Sequence, residues 1–195
     1  LTNDFVVVVS GKREHAEALR QETTDVLAPL GLRLSQEKTS VVHIDEGFDF
    51  LGFRIQRHRK PGTSKSFVYT FPARKSLAAV RRKVKAIAQQ GTNQPLSDLL
   101  RQLNILLRGW TRYFQHGVSK RAFGYLRHYT WTRVVGWLSD KHRKTGWRAL
   151  RRRYSVQGWW PQHAGVVLFD PAGVAVTRYR YRGNIATPWA EPAPA

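Results

Sequence analysis

Apolar positions recur with two different periods along this chain, and the change from one to the other divides it. Phe5-Val6-Val7-Val8-Val9 is β-branched and aromatic and is bounded by Ser10-Gly11, a pattern that predicts a buried strand ending in a turn. From Lys12 to Leu30 the period becomes helical: Ala16, Leu19, Val26, Leu27 and Leu30 share one face, with Glu14, Glu17, Arg20 and Glu22 directed outward. Gly31 supplies the left-handed residue that commonly stops a helix. Leu32 and Leu34 then alternate with Arg33 and Ser35, Thr39 to Ile44 is strand-like again, and Gly47 to Ile55 continues in extended form. Up to about residue 70 the expectation is therefore mixed α/β structure with short hairpins.

The pattern breaks at Pro61-Gly62-Thr63-Ser64, and after one more short strand, Phe67 to Phe71, helices take over. Pro72 suits a first helical position. Leu77, Val80, Val84 and Ile87 form the next stripe, which Gln89-Gln90-Gly91-Thr92-Asn93 ends. A second helix of this region carries Leu99, Leu103, Leu106, Trp110 and Phe114 from about Pro95 to near Gly117. Ser119 is placed to cap a third, with Phe123, Leu126, Tyr129, Trp131, Val134 and Trp137. A short fourth follows Thr145 with Trp147, Leu150 and Tyr154. Strand-like alternation returns in Val166 to Phe169 and, after the turn Asp170-Pro171-Ala172-Gly173, in Val174 to Tyr181. The fold class expected is α+β, in three segments: 1–71 mixed with hairpins, 72–157 helical, and 158–195 a β-rich extension with a frayed tail.

Composition narrows the function. The 195 residues are 42% hydrophobic, 12% aromatic and 24% charged, in the globular range. The absence of Cys excludes disulfides, thiolate zinc sites and a cysteine nucleophile. The longest aliphatic run is far shorter than the ~20 residues a spanning helix needs, and no signal peptide is recognisable, so a soluble intracellular protein is expected. The chain begins with Leu and lacks Met, as expected of a fragment or a processed form. Net charge is +20, and it is regional: residues 1–50 hold nine acids and five bases, whereas 51–195 hold four acids and 28 bases. Residues 71–153 alone hold 20 bases and two acids. A field of that density calls for a polyanion, and nucleic acid is the expected partner ahead of an acidic membrane surface.

Motifs in order along the chain sharpen that expectation. Leu1-Thr2-Asn3-Asp4-Phe5 with Val6-Val7-Val8 resembles the Tyr-x-Asp-Asp turn of reverse transcriptases and the strand after it. Downstream come Gly31-Leu32-Arg33-Leu34-Ser35-Gln36-Glu37-Lys38-Thr39, then Gly47-Phe48-Asp49-Phe50-Leu51-Gly52-Phe53, then Leu103-Asn104 and Arg108-Gly109-Trp110-Thr111-Arg112-Tyr113-Phe114. The series resembles bacterial group II intron-encoded reverse transcriptase/maturases, from the end of the palm through the thumb, or maturase-specific domain X. By that resemblance the fold is a truncated palm edge with hairpins, a basic helical thumb/domain X and a short β-rich extension.

The resemblance carries its own departures. In that family two Asp of the turn join a third carboxylate to hold Mg²⁺ for nucleotide transfer. Asn3 and Leu1 stand here where an Asp and the Tyr would be, and an amide does not replace an anionic ligand. Asp4 is left as a vestigial catalytic and metal-ligating residue of an incomplete site, no intrinsic cofactor is expected, and the chain alone is expected to lack polymerase activity. Lys38 matches a palm lysine near the triphosphate, or is simply a solvated lysine. Phe50, Leu51, Gly52 and Phe53 match the primer-grip hairpin, where Gly52 would admit a nucleic-acid backbone; the two Phe equally suit a core.

For the helical segment, charge and resemblance agree. Arg74, Lys75, Arg81, Arg82 and Lys85 are the expected phosphate contacts of its first helix. Arg108, Arg112, Lys120, Arg121, Arg127 and His128 flank the aromatic positions of the next two and are expected to read RNA shape. Trp110, Tyr113 and Phe114, three and four apart, are expected to be core. Arg151, Arg152 and Arg153 extend the basic surface, and Arg178, Arg180 and Arg182 alternate with Tyr179 and Tyr181, placing three Arg on one face of a strand. A Cys-containing His-Asn-His nuclease, a His-based zinc site and a Ser/His/Asp nucleophile have no matching sequence. The resemblance thus implies binding of structured group II intron RNA, in aid of splicing and mobility, with an RNA/DNA template-primer as a further partner. It also implies a missing N-terminal reverse transcriptase portion, no membrane, and a bacterial cytoplasm with nucleoid or RNA association. Two alternatives stand beside it: a polymerase half completed by another chain, and a decayed fragment without function.

Overall fold

The computed structural model describes residues 4–156 and 159–177, which fall into two compact units, one up to residue 73 and one from residue 74 onward. Five α-helices and two small antiparallel sheets among the described residues give the α+β class expected.

In the first unit, α1 (Arg13–Leu27) continues as a single 3-10 turn, Ala28–Leu30, and stops at Gly31, whose φ of 70° is the left-handed conformation anticipated for it. No residue of α1 is buried. The expected strand Phe5 to Val9 is not one: the segment forms no ladder, and Val8 is 85% exposed. Thr39 to Ile44 likewise forms no strand, although the Ile44 carbonyl accepts a hydrogen bond from the Arg57 N–H at 3.0 Å. In both, β-branched composition favours extended backbone, but a strand exists only where its N–H and C=O groups find a neighbour.

The sheet of this unit is a meander, β1 (Phe48–Phe50), β2 (Phe53–Arg59) and β3 (Ser66–Pro72), in that order. Phe50 faces Phe53 across the two-residue turn Leu51-Gly52, whose φ values of 45° and 79° are both positive, the signature of a hairpin turn matched to strand twist. Pro72 is the last residue of β3, paired with Phe53, rather than the first of a helix. Its missing N–H is tolerated at a strand end as well as at a helix start.

The second unit is built on α2 (Arg74–Ala88), α3 (Leu96–Phe114), α4 (Lys120–Lys141) and α5 (Trp147–Tyr154). The stripes read from the sequence meet here: Val80 and Val84 of α2, Leu99, Leu103 and Leu107 of α3, and Leu126, Val134 and Trp137 of α4 form one buried cluster with Leu150 and Tyr154 of α5. Ser119 precedes α4 but does not cap it through its side chain; its buried hydroxyl donates to the Phe114 carbonyl at 2.6 Å, closing the end of α3. Loop 91–94 is fastened to α4 by Lys141, whose ammonium donates to Thr92 and Gln94 carbonyls at 2.5 and 2.9 Å.

A second meander follows: β4 (Ser155–Val156), β5 (Trp160–His163) and β6 (Val166–Val167). Past β6 the Leu168 N–H still donates to the Pro161 carbonyl of β5 at 2.9 Å, but the strand ends there as Leu168 is buried in the helical cluster and Phe169 packs against it. Asp170-Pro171-Ala172-Gly173 makes the expected turn as a 3-10 segment over Pro171–Gly173, with the Asp170 carboxylate accepting from the Ala172 N–H at 2.9 Å. Val174 to Thr177 is not a strand, and the remainder of that expected strand, with Arg178, Arg180 and Arg182, lies outside the described residues.

Candidate nucleic-acid interface

The basic side chains of the second unit separate into two groups by what they touch. On α2, Arg74, Arg81 and Lys85 are spaced by seven and four residues, which places them in one row over about 17 Å of helix, with Lys75 and Arg82 in the adjoining row. All five are exposed, and none forms an ion pair among the described residues. Val80 and Val84 bury the opposite side of the helix. The row borders α4, where the Arg81 guanidinium lies 5.5 Å from the Tyr125 ring and 5.0 Å from that of Tyr129. Arg133 approaches the Tyr129 ring at 5.1 Å, and the two Tyr rings stack with centroids 6.2 Å apart. Delocalised cations over aromatic faces retain free N–H groups at their edges, so the same Arg can hold a phosphate. From the sequence, Tyr129 is only a position of the helix's apolar stripe, and Tyr125 and Arg133 carry no expectation; the four-residue spacing of the three is the signal for them.

The other group binds the protein itself. The Lys120 ammonium donates to the Ala172 and Val174 carbonyls at 3.2 and 3.0 Å. Arg127 pairs with Asp170 at 3.3 Å and covers the Trp160 ring at 4.9 Å. Arg108 lies 4.9 Å from the Phe169 ring, and Arg151 4.1 Å from that of Trp159. These four clamp residues 159–174 to the helices. Arg112, Arg121, His128, Arg152 and Arg153 are exposed; Arg121 and His128 share the outward ridge of α4, His128 stacks on Trp131, and Arg153 lies over the Tyr154 ring. Trp110 packs against the core and Phe114 is buried, whereas Tyr113 is 52% exposed.

The first unit brings its candidates together less. Phe50, Leu51, Gly52 and Phe53 do form one hairpin tip, with both Phe half-buried, and the Gly52 carbonyl accepts from the Ala73 N–H at 2.8 Å. Lys38 is exposed in a turn closed by its N–H on the Ser35 carbonyl. Asp4 is exposed, and no group of three or more His, Cys, Asp or Glu side chains among the described residues could hold a metal ion. One exposed carboxylate does not fit a two-metal site.

Gly47, the first residue of the Gly47 to Phe53 motif, is confined by backbone as well as by side chain. Its φ is 71°, and an added Cβ would lie 2.6 Å from the Ile55 carbonyl oxygen and 2.7 Å from the Gln56 Cβ. Beside it Arg57 grips Asp45 bidentately at 2.5 and 2.7 Å, and Arg54 reaches the Glu46 carbonyl.

Residues 77–155, from α2 to the start of β4, match the family described as group II intron, maturase-specific domain. That stretch of the chain is similar to a group II intron maturase-specific domain. A stretch of 90 residues, 43% of the chain, is 39% identical to Protein YkfC of Escherichia coli (strain K12). The chain covers 24% of the length of that relative. The matched residues run from the first turn of α2 to the end of α5, so Arg81, Arg82 and Lys85 and the Tyr pair of α4 lie within them, while Arg74 and Lys75 precede them. Among the described residues no helix is long and apolar enough to cross a membrane.

Proposed function

We propose that this chain binds structured group II intron RNA and assists its splicing and mobility, as the C-terminal part of a reverse transcriptase/maturase. The observation that carries the reading is the α2 face: five exposed cations in two adjoining rows, bordered by the Arg-backed Tyr pair of α4, with Arg81, Arg82, Lys85 and both Tyr inside the residues that match the maturase-specific family. Folded RNA offers such a face phosphates and 2′-hydroxyls along a groove, together with exposed loop bases. Binding energy supplied to one RNA conformation stabilises it by mass action, and the intron RNA itself performs the transesterifications. The hairpin tip at Phe50 to Phe53 is assigned to a template-primer duplex when the rest of the polymerase is present, with Mg²⁺ held there and not by this chain.

The test is binding of the purified chain to a folded group II intron RNA, an unrelated folded RNA of equal length and duplex DNA over a salt series. Purely electrostatic binding falls by roughly 0.7–0.9 log units per log unit of salt for each phosphate neutralised, alike for all three ligands. A preference for intron RNA of about tenfold or more at near-physiological salt, ~1.4 kcal/mol, is the expected result. Equal affinities lost together on adding salt would sink the proposal.

A further inference from the structure

On the side of α4 away from α2, an open groove of about 530 Å³ runs between Gly124, Arg127, His128 and Trp131 of the helix and Trp159 and Trp160. Three indoles at one surface groove are more than core packing requires, since Trp buries most of its large area wherever neighbours permit. Trp159 is nevertheless 50% exposed. The walls are fixed in place. The Trp131 indole N–H donates to the Trp159 carbonyl at 2.9 Å, and that of Trp160 donates to the Leu168 carbonyl at 2.5 Å. Each of these two rings therefore has its polar edge satisfied within the protein, and with Arg127 over one face of Trp160 and His128 stacked on one face of Trp131, a ligand would meet the other face of each. Trp159 is braced by Arg151 at 4.1 Å and by the Trp147 ring at 6.0 Å. The volume lies within the ~300–1,000 Å³ range in which small organic groups are held.

We infer that this groove receives an unpaired nucleobase of the bound RNA, stacked against its indoles. The inference rests on the reading of the chain as an RNA-binding protein and names the kind of nucleotide it recognises. Charge decides between occupants. Arg127 and His128 line the groove, Arg151 lies over the ring of its Trp159, exposed Arg121 is one turn before Gly124 on α4, and the carboxylate near the groove, Asp170, is already paired with Arg127. An apolar side chain of a protein partner would bring no charge to that rim, whereas a nucleotide brings a phosphate with each base. Bases inside an A-form duplex present only their edges, so a face-on indole site selects a bulged or looped nucleotide.

Gly124 makes the inference testable without disturbing the fold. An added Cβ there meets no atom within 4 Å, so a larger side chain would grow into the groove. The residue is helical, and replacing Gly inside a helix favours the fold. The probes are two RNA hairpins of identical stem, one fully paired and one with a single bulged 2-aminopurine, titrated with the full chain at near-physiological salt. The bulged hairpin is expected to bind about tenfold tighter, with quenching of the 2-aminopurine fluorescence on stacking. Gly124→Leu is expected to abolish both the preference and the quenching while leaving affinity for the paired hairpin unchanged, and Trp159→Ala to act in the same direction. Arg82→Ala is expected to weaken both hairpins equally. Equal binding of the two hairpins by the unmodified chain, or a preference that survives Gly124→Leu, would overturn this inference and leave the RNA-binding reading standing. Failure of both hairpins to bind would overturn the two together.

Discussion

Asn104 and Phe169, 65 positions apart, are joined as neighbouring strands would be. The Phe169 N–H donates to the Asn104 side-chain oxygen at 2.7 Å, while the Asn104 amide donates to the Val167 carbonyl, also at 2.7 Å. One side chain on α3 thus mimics a peptide group and satisfies the backbone where β6 ends, seating Leu168 in the core between the two bonds. Asn104→Ala removes both and leaves a part-buried N–H without its acceptor. A loss of roughly 1–3 kcal/mol in unfolding free energy is expected, at about 1 kcal/mol for each bond. Asn104→Asp keeps the acceptor for Phe169 but sets a carboxylate against the Val167 carbonyl, so it should recover only part of the loss. Denaturant unfolding of the three proteins checks the order; an alanine variant as stable as the parent would show that the clamp contributes nothing.

The two groups of cations predict opposite phenotypes. Lys120 donates to two backbone carbonyls of the C-terminal segment, so Lys120→Met should lower stability by roughly 1–3 kcal/mol and leave RNA affinity nearly intact. Arg82 is exposed and forms no ion pair among the described residues, so Arg82→Ala should stay within about 0.5 kcal/mol in stability. Its RNA affinity should fall, and the salt slope should shrink by about one phosphate. Thermal unfolding and a salt-dependent binding series, run on both variants, separate these outcomes. The assignment of the α2 face fails if Lys120→Met is the variant that loses RNA.

How much of this was legible in the sequence depends on the range of the interactions. Helices α2 to α5 follow from the three-to-four spacing of residues such as Leu99, Leu103 and Trp110, because helical hydrogen bonds are local and an apolar stripe needs only some apolar surface to cover it. Gly31 was legible for the same reason. Phe5 to Val9 was misread, since β propensity states what a residue tolerates and pairing decides whether a strand exists. The division of the cations was hidden altogether: Lys120 and Arg82 look alike in a charge count, and the carbonyls that claim Lys120 lie 52 and 54 residues away. The Trp groove was equally illegible, being assembled from α4 and a hairpin some 30 residues beyond it.

Gly47 and Gly136 should respond to alanine with opposite signs. Gly47 adopts a φ of 71° against Ile55 and Gln56, where a Cβ is strained and also collides with backbone. Gly47→Ala should destabilise the first unit by roughly 1–3 kcal/mol. Gly136 is helical, exposed and open around the Cβ position, so Gly136→Ala should add about 1 kcal/mol to the second unit. Hydrogen exchange resolved by residue assigns each effect to its unit. Equal effects of the two substitutions would mean that the clash at Gly47 is relieved by movement.

Asp45 gives the first unit a defined acid sensitivity. Its carboxyl is held below its ordinary value, foremost by the hydrogen bonds from Arg57, which outweigh desolvation, and then by the charges of Arg57 and His43. A carboxyl with a lowered folded-state pKa stabilises the fold fully above its unfolded value, about 4, and that contribution is lost as pH falls through the lowered folded value. The clasp that ties residues 43–47 to β2 should therefore hold at neutral pH and open only below about pH 4. An NMR titration of the Asp45 carboxyl should place its midpoint below that of an ordinary Asp, with the Gly47 amide shift following the same curve. Arg57→Gln should return the midpoint toward the ordinary value and uncouple Gly47 from it. If Asp45 titrates ordinarily in the parent, the ion pair is not maintained in solution, and the turn at 43–47 is held by the backbone bonds of Ile44 and Gly47 and by the Arg54 and Gln56 side chains on the Glu46 and Asp45 carbonyls.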